Sequence, residues 1–430
     1  MSEMNQTFFT NVMKRGDNLY VRRMNMESGK REKEVIPFKP KFYIPANGDE
    51  AKYTGIRGEK LAVMDFGCMS DAQDFVDRYR DVDGFRVFGQ KDFGFQYLAE
   101  AYPQEHLAYD ATKIRKFIKD IEVFSGSIDE NGDPVSGPFP EPEEALFPIN
   151  AVCIHDSYTD TFYLFGLEVF NGHYLGTYKH DPNHPKVGKL KVVYQGFNSE
   201  DKLLRAVIDL WAEMEPDAHS GWNTETFDTP YFGNRVRLIL DQKELNRMSP
   251  WGHVKARKFK GKFGREETTF DITGVANLDY KQLCEKHGFF EPDDWKLDTV
   301  ANHLLGDNKI SYEEAGSLNT LYVTDYQGFL EYNIHDVNLV KRIDEKKKLF
   351  ALVFALAYLM RANYEDTLAT VRPWSSFAYF DLLKHGVQPE IHHAYNGDIE
   401  FVGGFVKEPV PGRRKWIVSV DFASLNNIGA

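Results

Sequence analysis

Four acidic side chains from three distant segments are the residues of this chain best suited to chemistry. They are Asp120 and Glu122 in KDIEVF, Asp228 in GWNTETFDTPY, and Asp336 in YNIHDV. Carboxylates are hard oxygen ligands and suit divalent cations such as Mg²⁺ or Mn²⁺. Two such ions, about 3.5–4 Å apart, activate a water and stabilise the leaving oxygen in phosphodiester cleavage. The set therefore reads as a metal-dependent nuclease site. Taken singly, each acid is an ordinary surface charge or helix cap, since the chain has 65 acidic residues. The reading rests on their joint order: an acid pair on an early strand, an acid after GWN, and an acid in a Y-x-x-x-D helix.

Each acid needs an element to aim it. FIKDIEVF is an apolar run that predicts a strand, and side chains two apart on a strand share a face. Asp120 and Glu122 can thus reach one site. Asp228 follows the strand-like DAHSGWN and precedes Pro230, which suits the first turn of a helix running through TPYFGNRVRLIL. Around Asp336, apolar residues at Phe329, Leu330, Ile334, Val337 and Val340 have helical spacing. Tyr332 lies one turn before Asp336 on the same face, where a phenol can orient an attacking water.

With these motifs in order, the sequence resembles the amino-terminal part of a family B DNA polymerase of the T-even-like bacteriophages. DIEV matches the first exonuclease motif, SGWNTETFDTPY the second and YNIHDV the third. FVGGFVKEP followed by IVSVDFASL resembles the connection from exonuclease to palm and then the first palm motif. The resemblance implies an α/β fold: a ribonuclease H-like 3′→5′ proofreading exonuclease domain, an α/β amino-terminal domain and the start of a polymerase palm. The expected boundaries are 1–111 for the amino-terminal domain, with a returning segment at about 344–385. The exonuclease follows at 112–343, and the connection and first palm residues at 386–430. Two Mg²⁺ or Mn²⁺ ions at the exonuclease site are implied as cofactors.

The coarse pattern agrees. TFFTNVMKRGDNLYVRRMN and KREKEVIPFKPKFYIPA predict strands, and SDAQDFVDRYRDV a helix capped by Ser70. DIEV, INAVCIHD and TFYLFGLEVF predict three consecutive strands, the last two joined by a turn at Ser157–Asp160. SEDKLLRAVIDLWAEMEP predicts a helix with an acidic first turn, and KKLFALVFALAYLMRANY an apolar core helix.

DNA contacts are expected from GHVKARKFKGKFGREETTFDITG. Lys255, Arg257, Lys258, Lys260, Lys262 and Arg265 cluster there with Phe259 and Phe263 between them, as a protruding hairpin about Gly261 and Gly264. Basic groups contact phosphates and aromatic rings stack on bases; a plain charged hairpin is the alternative. The resemblance gives this hairpin a role in separating primer from template. It also gives Gly403 and Gly404, where backbone can approach closely, a role in partitioning DNA between sites. The adjacent His392 and His393 face opposite ways on a strand and are read as surface residues, not ligands.

At 430 residues and a net charge of −13, the chain is no simple basic nucleic-acid-binding protein, although a local basic surface can still meet phosphates. Cys68, Cys153 and Cys284 form no zinc pattern and are expected to be reduced thiols. No run is long and apolar enough for a membrane span, and the polar start lacks a secretory pattern.

The resemblance assigns Asp421, in IVSVDFASL, to a polymerase metal. The family pattern continues S-L-Y-P-S, whereas Ser424 and Leu425 are followed here by Asn426, Asn427, Ile428, Gly429 and Ala430. The expectation is therefore a split polymerase. This chain would supply the exonuclease, and a second polypeptide the remaining palm, fingers and thumb. Expected partners are primer-template DNA, single-stranded 3′ ends, that second chain and a sliding clamp reached through it, in the cytoplasm of an infected bacterial host. The alternatives are an autonomous single-strand 3′→5′ exonuclease and a nonenzymatic nucleic-acid-binding remnant.

Overall fold

The computed structural model describes residues 7–391, except positions 81, 83, 131, 132, 136, 261–263, 265 and 312–314. Of the sequence-predicted residues, Lys262, Arg265, Gly403, Gly404 and Asp421 lie outside the described residues, as do Gly261, Phe263, His392 and His393.

The chain opens with an antiparallel meander of Thr7–Arg15, Asn18–Asn25 and Arg31–Pro37. A second small sheet is built on Lys41–Pro45 and Lys60–Asp65, followed by the helices Met69–Arg78 and Phe93–Ala101. Ser70 is not the cap of the first helix. The N-cap position is Cys68, and Asp17 reaches across to accept from both the Ser70 N–H (2.7 Å) and its Oγ–H (2.9 Å). A carboxylate from a neighbouring turn thus serves the helix start in place of the local hydroxyl.

A mixed six-stranded sheet positions the acids. Its spatial order is Lys191–Phe197, Thr161–Leu167, Ile149–Asp156, Lys116–Val123, Ala218–Ser220 and Ala276–Asn277. Ile149–Asp156 runs antiparallel to both neighbours, while the remaining pairs are parallel. All eight residues of Ile149–Asp156 are buried, as suits a central strand covered on both faces. The predicted turn at 157–160 joins the second and third strands of the chain order.

Strand alternation divides the surroundings of Lys116–Val123. Phe117 and Ile121 enter the core shared with Val207 and Trp211 of the helix Glu200–Met214. Ile118 enters the other core, shared with Ile334 and Val337 of the long helix Tyr326–Lys347. Asp120 and Glu122 have the parity of Ile118, so period two directs both toward that helix. The helix begins where Asp325 accepts from the Gly328 N–H (3.0 Å) and ends at Lys348, a left-handed residue at φ 57°.

The same core continues through Phe8, Phe9, Leu278, Tyr280 and the apolar helix Leu349–Met360, so it spans the amino-terminal meander and the nuclease sheet without interruption. A polar link accompanies it. Arg22, only 1% exposed, donates from Nη1 to the Pro216 (3.0 Å) and Gly274 (2.5 Å) carbonyls, and from Nη2 to the Glu215 carbonyl (3.1 Å). Fully buried Asp217 lies 3.5 Å from the same guanidinium and accepts from Arg31 (2.9 Å). Cys153 and Cys284 are buried and Cys68 half-buried; all three are free thiols. Among the described residues no helix is long and apolar enough to cross a membrane.

Candidate active site

Three of the four expected acids converge. Ligand oxygens of Asp120, Glu122 and Asp336 lie within 4.8 Å of one another, two from a strand and one from a helix more than two hundred positions later. Asp228 stands beside this trio, at the first residue of the helix Asp228–Ile239. Its Oδ1 accepts from the Ile121 N–H (3.2 Å), which fastens the helix start to the backbone between Asp120 and Glu122. Asp336 Oδ1 is buried and has no hydrogen-bond partner among the described residues. An orphaned carboxylate oxygen facing two further carboxylates fits a divalent cation, whose preferred donors are such oxygens.

Burial pushes all four carboxyl pKa values up. Glu122 is raised to about 8 by burial and then by Asp336, with Lys309 opposing. Asp120 is raised well above the usual range by burial, then by Glu122, Asp228 and Asp336. For Asp336, burial is opposed mainly by Lys309; for Asp228, by Lys119 and the Ile121 N–H. Like charges forced together in a dry site disfavour ionisation unless a cation joins them.

The structure adds residues that sequence reading missed. Lys309 Nζ contacts Asp336 Oδ2 and donates to the Tyr332 hydroxyl (2.8 Å), while standing 5.0 Å from the Tyr332 ring centre. Burial alone would lower the Lys309 pKa; Asp336, Tyr332 and Asp120 outweigh it and keep the ammonium firmly charged. Asn333 Nδ2 donates to Asp120 Oδ2 (2.7 Å), tying helix to strand. Asp279, nearly fully buried, accepts from the Asn223 (3.2 Å), Glu225 (3.0 Å) and Lys281 (3.0 Å) N–H groups and so shapes the GWN loop leading to Asp228. Its carboxyl is raised to about 6, chiefly by burial. Helical spacing could have disclosed Asn333, which stands three positions before Asp336. Nothing in the local sequence distinguishes Lys309 from other lysines.

Asp120, Tyr332, Asp336 and Lys309 line a cleft of about 720 Å³, walled also by Trp222 and Trp295. The predicted hairpin is formed by Val254–Lys260 and Glu266–Ile272 in antiparallel register. Lys255, Lys258 and Lys260 are exposed. Lys258 pairs with Glu266 (2.8 Å), and Arg257 is engaged by Glu225 (2.7 Å) and Asp271 (2.8 Å) at the hairpin base.

Residues 105–300 match the family model of the DNA polymerase family B exonuclease domain, a segment that holds Asp120, Glu122 and Asp228. Over 431 residues the chain is 31% identical to a DNA-directed DNA polymerase of Enterobacteria phage T4, covering 97% of this chain and 46% of the relative. It is 29% identical over 439 residues to the DNA-directed DNA polymerase of Escherichia phage RB69, with the same coverage. A DNA polymerase catalytic subunit of Saimiriine herpesvirus 2 (strain 11) is 24% identical over 250 residues, which is 54% of this chain and 24% of that relative. The chain thus spans about half the length of the phage relatives it matches. With the mixed sheet and its acids already in view, these matches identify a ribonuclease H-like domain, and the chain carries the exonuclease domain of the family B DNA polymerases.

Proposed function

We propose that the domain at about 112–343 is a 3′→5′ proofreading exonuclease that hydrolyses the terminal phosphodiester of a single-stranded DNA end with two Mg²⁺ or Mn²⁺ ions. The observation that carries this reading is the convergence of Asp120, Glu122 and Asp336 within 4.8 Å, beside the cleft that Asp120 and Asp336 line. Asp228 completes the ligand set from the adjoining helix start. Bound cations supply charge stabilisation of the phosphoryl group and a more acidic water. The protein's own part is positional. Asn333 orients Asp120, the Ile121 N–H orients Asp228, and Lys309 fixes Asp336 and Tyr332 together. Tyr332 would orient the water that attacks phosphorus, and the Lys309 ammonium would add positive charge beside the phosphate under attack as its bond to the 3′-oxygen breaks. Replacing Asp120 and Glu122 together by Ala is expected to abolish metal-dependent 3′-end degradation while the chain remains folded by circular dichroism. Cleavage near the unsubstituted rate, with contaminating nuclease excluded, overturns the assignment.

The phage relatives are named DNA-directed DNA polymerases on chains about twice as long. We extend polymerisation to this chain as a contribution only. Asp421 supplies one palm metal ligand, Gly403 and Gly404 the passage between sites, and a second polypeptide the remaining palm, fingers and thumb, during phage DNA replication in the host cytoplasm. Co-purification from infected cells separates this from an autonomous exonuclease. Absence of any polymerase-like companion, or template-directed extension by this chain alone, defeats the two-chain reading.

A further inference from the structure

Away from the acids, a second polar cleft of about 470 Å³ lies where three parts of the fold meet. The first strand contributes Asn11, the edge strand Ala276–Asn277 contributes Asn277, and the short turn Glu365–Leu368 contributes Glu365. The pairing register of the first strand shifts between Phe9 and Asn11, a bulge of the kind that re-aims a side chain. Asn11 is 3% exposed, yet its Oδ1 has no hydrogen-bond partner among the described residues. Asn277 Oδ1 and Glu365 Oε2 are buried and unpartnered in the same way. A buried acceptor left unpaired is costly, and here the three residues that carry one line a single cleft.

The charges around them are unbalanced. Four carboxylates, those of Glu225, Asp271, Glu365 and Asp366, line the cleft against two guanidinium groups. Both guanidinium groups are already engaged. Arg257 is held by Glu225 and Asp271, and Arg372 by Asp366 and by Asp92 (2.9 Å). Glu365 keeps an unpaired oxygen, and its carboxyl is raised to about 7 by burial and then by Asp366.

We propose that this cleft is a divalent-cation site distinct from the nuclease centre, holding a partly hydrated Mg²⁺ or Mn²⁺ through Asn11 Oδ1, Asn277 Oδ1 and Glu365 Oε2. All three donors are oxygen, the class such ions prefer, and the ion retains several waters when protein ligands are few. Water occupies about 30 Å³ per molecule, so the cleft has room for the ion with its hydration shell. Among the described residues no aromatic ring lines it, which leaves no stacking surface there for a nucleobase. The ion would tie the amino-terminal meander, the edge of the nuclease sheet and the returning turn into one cross-link.

The test uses the full chain carrying Asp120→Ala, Glu122→Ala and Asp336→Ala, which removes the converged carboxylates of the nuclease centre. Free Mn²⁺ is followed by electron paramagnetic resonance. One Mn²⁺ per chain is expected to remain bound. Adding Glu365→Gln should weaken that binding at least tenfold, and Asn11→Asp, which adds a charged oxygen at the same point, should strengthen it severalfold. Should Glu365→Gln fail to fold, the Asn11→Asp comparison decides. No retained Mn²⁺ means a water-filled cleft and overturns the proposal. Retained Mn²⁺ indifferent to the decisive substitution overturns it as well.

Discussion

Lys309 binds two functional groups in one geometry, and its loss should be felt as chemistry more than as stability. Lys309→Met would free Tyr332 from its 2.8 Å contact and leave Asp336 without its cationic neighbour. Positioned proton-handling and charge-stabilising groups contribute roughly 10²–10⁴-fold to rate. The variant is expected to lose about 100-fold in single-turnover cleavage with little change in DNA affinity; an unchanged rate removes Lys309 from the machinery. Glu122 makes a separate, pH-dependent prediction. Its folded pKa, about 8, lies above its ordinary value of 4.5. Its contribution to stability is therefore complete below pH 4.5 and is lost as pH rises through 8. In EDTA, the melting temperature should fall between pH 6 and 9, by less in Glu122→Gln and by less again with Mg²⁺ present. Equal slopes in all three samples contradict this electrostatic account.

At the scale of elements, the glycine of the GWN segment explains itself. A Cβ at Gly221 would stand 2.3 Å from the Lys119 carbonyl oxygen and 2.4 Å from Thr224 Cγ2. The loop can pass behind the acid-bearing strand only because that Cβ is missing. Gly221→Ala should cost about 1–3 kcal/mol by overpacking and, by shifting the backbone next to Asp120, should depress nuclease activity at temperatures where the chain is still folded. Urea unfolding and cleavage assays on the same sample read both effects. This loop was not legible in advance, since DAHSGWN reads as strand throughout whereas the strand ends at Ser220; the strand carrying Asp120 and Glu122 and the helix carrying Tyr332 and Asp336 were. Each has a local period, two or about 3.6, written in apolar residues. Lys309, Asn333 and Asp279 were not recognised. Lys309 and Asp279 lie between periodic segments, and the partners of all three are set by tertiary contact. The Ser70 cap failed for a related reason: Asp17, some fifty positions away, outcompetes the local hydroxyl. For Asp228, spacing reveals the helix start but not that the Ile121 N–H would engage one carboxylate oxygen.

Across the whole molecule, the proposed exonuclease reading requires a chain of net charge −13 to meet DNA through a local surface. Lys258 and Lys260 lie on one exposed edge of the hairpin. Replacing Lys258, Lys260 and Lys262 by Ala should weaken duplex-end binding and make the salt dependence shallower by about two to three in log–log slope, since fewer counterions are released. Digestion of a duplex end should suffer more than digestion of a single strand. An unchanged slope with equal loss on both substrates counts against hairpin contact. The amino-terminal meander has a different bearing on the molecule, through Arg22. Two of its carbonyl contacts, Glu215 and Pro216, and the buried Asp217 lie at the turn just before the strand that leads to GWN, and the third, Gly274, lies just before the edge strand Ala276–Asn277. Removing one partner of such a buried pair costs roughly 3–5 kcal/mol. A fragment cut at residue 112 would thus surrender a foundation stone of the nuclease along with a neighbouring domain. It should emerge insoluble or molten even though all four proposed ligand acids are present. What reads along the chain as a boundary is, in three dimensions, a shared wall, and the nuclease inherits its rigidity from residues that precede its first motif by a hundred positions.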